Sequence, residues 1–306
     1  MGAELRAIRA RIRSVTSTAK ITRAQELIAS SRIPGARRRL DAARPYAREI
    51  TRAASILISH GTHMNHALLN LRPDTSRVAV LLMSSDRGFC GGFNNNVLRQ
   101  SDALAALLRA QGKEPVFYLC GRKAVDFYRF RHRRTEREWV GLSDHPAYEV
   151  AAEIGQTLVD AFDMPTRAGG VGEVHVVFTE FVSMLTQQTR AHRILPLEVE
   201  EREMGGETGD STGAPPPYEF EPSAGAVLDL LLRQYVRGRI WGMLLESSAS
   251  EHAARRQAMT SATENAHELI GQLTRRANSA RQAEITTELT EIASGAEALS
   301  RPTAEG

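Results

Sequence analysis

Between Met259 and Leu299 the apolar positions are sparse but ordered. Leu269, Leu273, Ala277 and Ala280 fall at intervals of four, four and three, and Ile285, Leu289 and Ile292 resume the spacing. The stretch has no proline and one interior glycine, Gly271, before Gly295, so propensity and period together predict one long helix with a narrow apolar seam. A seam of that width wants a single partner helix. The start of the chain supplies it, because Ile8, Ile12, Val15 and Ala19 step by four, three and four, the same helical period. The two ends are therefore expected to pair antiparallel. Ala, Thr and Ser make up much of the seam, which suits a rod with protein all round it better than a strongly apolar zipper.

The middle of the chain changes period. Val78 to Met83 reads as a buried strand, Asn94 to Arg109 as an amphipathic helix, Val116 to Leu119 as a second strand and Arg122 to Phe130 as a short helix. Arg137 to Val140 adds a strand, Tyr148 to Phe162 a helix and Val174 to Phe178 another strand, with Gln187 to Leu195 pairing at an edge. Strands alternating with helices predict a parallel α/β sheet. The expected fold class is thus α+β/α/β: a long antiparallel two-helix coiled coil from the N- and C-termini plus a central Rossmann-like α/β domain. The division read from the sequence is 1–60 and 222–299 for the coiled-coil helices and 75–215 for the α/β domain. Ile33-Pro34-Gly35 inside the first helix predicts a kink or break unless packing holds it, since proline removes a hydrogen bond and clashes with the preceding turn. GGETGDSTGAPPP, between Met204 and Pro217, reads as a surface loop. Helix from Ser223 to Leu299 would span on the order of 115 Å, so a rod is expected to protrude.

Composition fits a chain with a real core: 306 residues are 42% hydrophobic and only 6% aromatic, which favours helices over a sandwich. The net charge of +3 conceals an asymmetry, for residues 1–60 hold thirteen Arg/Lys against four Asp/Glu. Two cysteines, Cys90 and Cys120, build no disulfide framework. No apolar run reaches the length of a spanning helix. The Arg- and Ser/Thr-rich start imitates a mitochondrial transit peptide.

The glycine-rich turn is the obvious chemical candidate. Ser84 to Asn94, SSDRGFCGGFN, follows a strand and opens a helix, the place where α/β folds cradle phosphates. Its glycines, Gly88, Gly91 and Gly92, fall as G-x-x-G-G, neither the dinucleotide fingerprint nor a P-loop. With Asp86 and Arg87 they are read as a tight structural turn. Cys90 has no base assigned by any pattern and is read as a packed thiol rather than a nucleophile. His60, His63 and His66 are read as an exposed helix end rather than metal ligands. No cofactor, metal site or catalytic site is expected.

IRARIRSVTSTAKIT at the start, SSDRGFCGGFNNN in the turn, and ASEHAARRQAM with NSARQAEITTELTEIASGAEAL at the end resemble, in that order, the gamma subunit of F-type ATP synthase. The resemblance covers nearly the whole chain. It implies a non-catalytic rotor whose terminal helices form the central shaft within the alpha and beta subunits of the catalytic head, with the α/β domain as a foot on the membrane c-ring beside the epsilon subunit. It places the N-terminal arginines in the mature first helix of a bacterial protein, peripheral to the plasma membrane on its cytoplasmic side. Carried onto this chain, the family pattern implies shaft-to-head contacts at Arg255, Arg281, Gln282 and Thr286, with Glu288 and Glu291 nearby. It implies further contacts around Lys20, Arg23 and Gln25, where the family commonly has methionine at the last position. Tyr218 and Glu221 resemble foot positions near the ring and epsilon. Two other readings remain in view: a nucleic-acid-binding coiled coil, from the basic first helix, and a nucleotide-binding α/β enzyme, from the turn.

Overall fold

The computed structural model describes residues 3–60, 66–70, 72, 74–197 and 224–300. Helix α1 runs Ala3–His60 and helix α5 Ala224–Ser300. Between them lie β1 (Arg77–Met83), α2 (Phe93–Ala110), β2 (Glu114–Cys120), α3 (Arg122–Phe130), β3 (Arg137–Trp139), α4 (Tyr148–Asp163), β4 (Glu173–Phe181) and β5 (Gln187–Leu195). The chain divides into two compact units, Met1–Ile28 with Arg256–Gly306, and Ala29–Arg255.

In the smaller unit the predicted seam forms. Leu5, Ala19 and Thr22 of α1 are buried, as are Met259, Thr263, Ala266, Leu273 and Ala277 of α5, while Ile8, Ile12 and Val15 are half-buried. Thr22 and Thr263 meet hydroxyl to hydroxyl at 2.7 Å. The seam stops sooner than the spacing predicts: Ile285, Leu289 and Ile292 are 43, 62 and 69% exposed. The cause is the length of α1. From Thr22, opposite Thr263, the residues back to Ala3 reach at equal rise only to about residue 282 of an antiparallel partner. Beyond that point α5 keeps the apolar spacing without the partner.

In the larger unit the sheet has the order β3-β2-β1-β4-β5. β1 pairs in parallel with both β2 and β4, β2 pairs in parallel with β3, and only β5 is antiparallel, at the edge. β1 is buried on both faces, which explains its continuous apolar run. Val78, Val80 and Leu82 pack under α2 and α3 with Val97, Leu104, Leu108, Val125 and Tyr128. Ala79, Leu81 and Met83 face the opposite way, onto Ile154, Leu158 and Phe162 of α4 and Leu228, Leu232, Val236 and Ile240 of α5. Tyr46 of α1 accepts a hydrogen bond from Gln234 of α5 at 2.6 Å.

The break expected at Pro34 does not occur, and α1 also continues through Pro45. Pro34 faces solvent, whereas Ile33, Ala36 and Leu40 are buried. One lost backbone bond on the exposed side is outweighed by apolar packing on the other. The segment Met164–Gly172 is pinned to the strand ends. Arg72 donates to the carbonyls of Phe162 and Met164, Arg77 donates to that of Gly169, and Thr75 donates to Gly170.

Candidate functional site

The larger unit gathers buried charge beyond the carboxyl ends of β1 and β2. The turn after β1 is organised by Asp86, whose carboxylate accepts the backbone N–H groups of Arg122 (3.0 Å), Gly141 (2.8 Å) and Ser143 (2.9 Å). The Asp86 N–H donates in return to Ser143 Oγ at 2.8 Å. Burial pushes the Asp86 carboxyl up, but these donors more than offset it and hold it below the usual range. Gly121, at φ +97°, passes so close to the Ser84 carbonyl that a side chain there would collide with it. These contacts fix the backbone of the turn and its approach to the loops after β2 and β3. Gly91 takes a left-handed φ of 57° and Gly92 caps α2. Cys90 is buried among Ser85, Asn94 and the Arg87 carbonyl, and burial raises its thiol.

Helix α5 meets this turn with Glu251, His252 and Arg255. Arg255 donates to the carbonyls of Gly88 and Arg87, both at 3.3 Å, and to Glu251 Oε1 at 2.6 Å. Its guanidinium also lies 3.8 Å from Asp144 Oδ1. Asp144, in the loop after β3, is held by Arg32 of α1 at 2.6 Å and by Arg87 at 3.4 Å. Its carbonyl accepts from Ser248 Oγ at 3.4 Å and lies 3.2 Å from His252 Nε2. Burial raises Asp144, yet the Arg32, Arg87 and Arg255 guanidiniums overcome it and hold the carboxyl low. For Glu251 burial wins: with 1% of its side chain exposed, its carboxyl is raised to about 7 in spite of Arg255. Burial pushes His252 down, toward the neutral imidazole.

In a sheet of this order the strand sequence reverses between β1 and β4, and the crevice beyond their carboxyl ends is where doubly wound folds hold ligands. Here α5 fills it. Arg255 closes the β1 side, and Ser250 Oγ donates to the Thr179 carbonyl of β4 at 3.1 Å. A small cavity remains, walled by Ser84, Ser143, Ser247, Ser248 and Glu251, with room for about one water.

The expected contact residues separate into two groups. Lys20, Arg23, Arg281, Gln282, Thr286, Glu288 and Glu291 are exposed, and Gln25 is half-buried. Among the described residues Arg23 pairs within its own helix, with Glu26 at 2.8 Å, and Thr286 Oγ1 donates to the Gln282 carbonyl. Arg255 is 6% exposed, and its donors are directed to the turn and Glu251. The structure instead joins Arg255 to Arg87 and Gly88, two positions read separately as turn. Asp144, Glu251, Arg32 and Ser143 were not singled out from the sequence. Tyr218, Glu221 and His63 lie outside the described residues, and His66 bonds Asp229 and caps a short 3-10 turn at Ala67–Leu69.

The chain matches the family described as ATP synthase over residues 4–299. It is 53% identical over 300 residues to the ATP synthase gamma chain of Acidothermus cellulolyticus, covering 98% of each chain. To that of Thermobifida fusca it is 51% identical over 304 residues, covering 99% of each. Its fold is similar to a chain in a Euglena gracilis mitochondrial ATP synthase structure of OSCP, F1 and c-ring, with a TM-score of 0.67, 14% identity and coverage of 100% of this chain and 99% of that one. It is also similar to a chain of the central stalk and c-ring structure from Tetrahymena thermophila, with a TM-score of 0.56, 19% identity and coverage of 79% and 99%. A seam between the two terminal helices, a Rossmann-order sheet whose crevice is closed by the chain's own helix, and a family match over residues 4–299 with half-identical relatives along the full length place this chain in the ATP synthase gamma-chain family.

Proposed function

We propose that the chain is the central-stalk rotor of an F-type ATP synthase, turned by the membrane c-ring and turning within the alpha and beta subunits, with no catalytic site of its own. One observation carries this reading: α5 passes Ala280 with its apolar spacing intact and exposed, flanked by Arg281, Gln282, Thr286, Glu288 and Glu291. Such a face suits an enclosing protein surface that it touches in turn. Polar and small side chains keep each seat shallow, and a charge-assisted hydrogen bond of about 1.5–3 kcal/mol marks a dwell without trapping the rotor. Lys20, Arg23 and Gln25 are assigned to the same surface from α1. Tyr218 and Glu221 are assigned to the contacts with the ring and epsilon.

Members of the family work in a membrane-bound ATP synthase, and no helix among the described residues is long and apolar enough to cross a membrane. We place the chain on the cytoplasmic side of the plasma membrane, held there through the complex. The test is R281A together with Q282A in the assembled complex. Both side chains are exposed, so the fold is kept and coupled ATPase activity falls. Unchanged turnover and synthesis in the double variant would refute the contact assignment. A pull-down from membranes read by mass spectrometry is expected to recover alpha, beta, epsilon and ring subunits.

A further inference from the structure

A rotor of this kind has to pass torque from an α/β layer into two helices, and apolar packing alone resists sliding poorly because it has no direction. One residue of the layer takes directional contacts from both helices. Asp144 follows Ser143, which is tied to the end of β1 by a reciprocal pair of hydrogen bonds with Asp86, at 2.8 and 2.9 Å. From that anchored position its carboxylate takes Arg32 of α1 at 2.6 Å, Arg87 of the turn at 3.4 Å and Arg255 of α5 at 3.8 Å. Its carbonyl takes Ser248 of α5 as well, with His252 at 3.2 Å. Arg255 then returns to the layer through the carbonyls of Arg87 and Gly88. Arg32 stands four residues along α1 from Ile28, and Arg255 is the last residue of the larger unit. The grip is therefore applied where both helices leave it.

We propose that Asp144 is the positioning residue of a torsional joint, holding α1 and α5 against the α/β layer so that rotation imposed on the layer reaches both helices with little angular give. This rests on the rotor reading above. Guanidiniums suit the task, since a planar fork resists rotation about the contact better than a point charge does. One Asp144 oxygen, Oδ1, is buried without a hydrogen-bond partner among the described residues, and Arg255 Nη1 stands 3.8 Å from it. The joint thus has one contact left to tighten under load.

The experiment fixes the head of the assembled complex to a surface, attaches a bead to the α/β layer, and records the bead's angular variance in the stalled state. D144N keeps the size of the side chain and the carbonyl contact with Ser248 but removes the charge. The expected result is at least a doubling of the angular variance in D144N and in R32Q, little further increase in the double variant, and recovery toward the original value in D144E. A purely structural role would lower the yield of complex without changing the variance of what assembles. If D144N does not assemble, R32Q decides, because Arg32 is exposed at the rim of the pair. Wild-type variance in R32Q and in any D144N complex that assembles would overturn the joint. A layer that does not rotate on ATP addition at all would overturn the rotor reading instead.

Discussion

Glu251→Gln tests the electrostatics of the buried cluster most directly. The Glu251 carboxyl is raised by burial from an ordinary 4.5 to about 7, with Arg255 opposing the rise. That difference corresponds to about 3 kcal/mol. The sign follows from proton binding: the folded chain holds this proton more tightly than the unfolded chain does. Its contribution to stability is therefore complete below 4.5, shrinks as pH rises, and is gone above about 7. Neighbouring groups titrate in other directions. Asp86 and Asp144 are held low and lose their contribution only in acid, and His252, pushed down by burial, favours the folded state more as pH rises toward its ordinary value. All three persist in the variant, so the difference between wild type and E251Q isolates Glu251. Glutamine keeps an oxygen for Arg255 and has no proton to lose. Urea unfolding of the full chain near pH 5 and pH 8 is expected to show wild type losing roughly 2–3 kcal/mol more than E251Q across the interval, since part of the contribution is already gone at pH 5. Equal pH dependence in the two proteins would refute the placement of an ionisable group in that cavity.

Pro34→Ala restores a backbone N–H on the exposed side of α1 and unpacks nothing, so it is expected to stabilise the larger unit by about 1–3 kcal/mol; a lower urea midpoint would refute this account of the proline. Thr22→Val or Thr263→Val alone removes half of the 2.7 Å hydroxyl contact in the smaller unit and is expected to cost about 1 kcal/mol. The double variant should cost less than the two single changes together, since neither hydroxyl is then left facing an apolar partner; simple additivity in a double-mutant cycle argues against a direct bond.

Much of the fold was legible because period and punctuation agreed. α3 and β5 begin and end where the sequence reading puts them, at Arg122–Phe130 and Gln187–Leu195. Other elements differ by a few residues, as β4 does by extending to Phe181. The seam failed beyond Ala280 because spacing along one helix carries no information about where its partner ends. The charged cluster was hidden for a different reason. From Ser247 to Ala253 every residue of α5 is buried, so the helix has no polar face there, and a period search depends on having one. Glu251 and Arg255 sit four apart and read as an ordinary surface pair. Nothing local distinguishes Arg255, buried, from Arg256, exposed. Only the approach of the Gly88 carbonyl decides between them.

That carbonyl also separates the rotor from a nucleotide-binding enzyme of the same topology. A phosphate at the end of β1 is held by backbone N–H groups pointing into the crevice, with a helix N-terminus behind them. In this chain the turn offers carbonyls of Arg87 and Gly88 to a guanidinium, which is the opposite polarity. Two of its N–H groups and one side-chain amide are engaged elsewhere: the Asp86 N–H goes to Ser143, the Ser85 N–H goes to Asn94, and Asn94 also donates to Cys90. Shortening Arg255 would leave the Arg87 and Gly88 carbonyls without that donor. The sheet order is shared with cofactor-binding folds, and function is set by what occupies the crevice. Here a helix of the chain itself enters it, bonded to the turn after β1 through Arg255 and to β4 through Ser250.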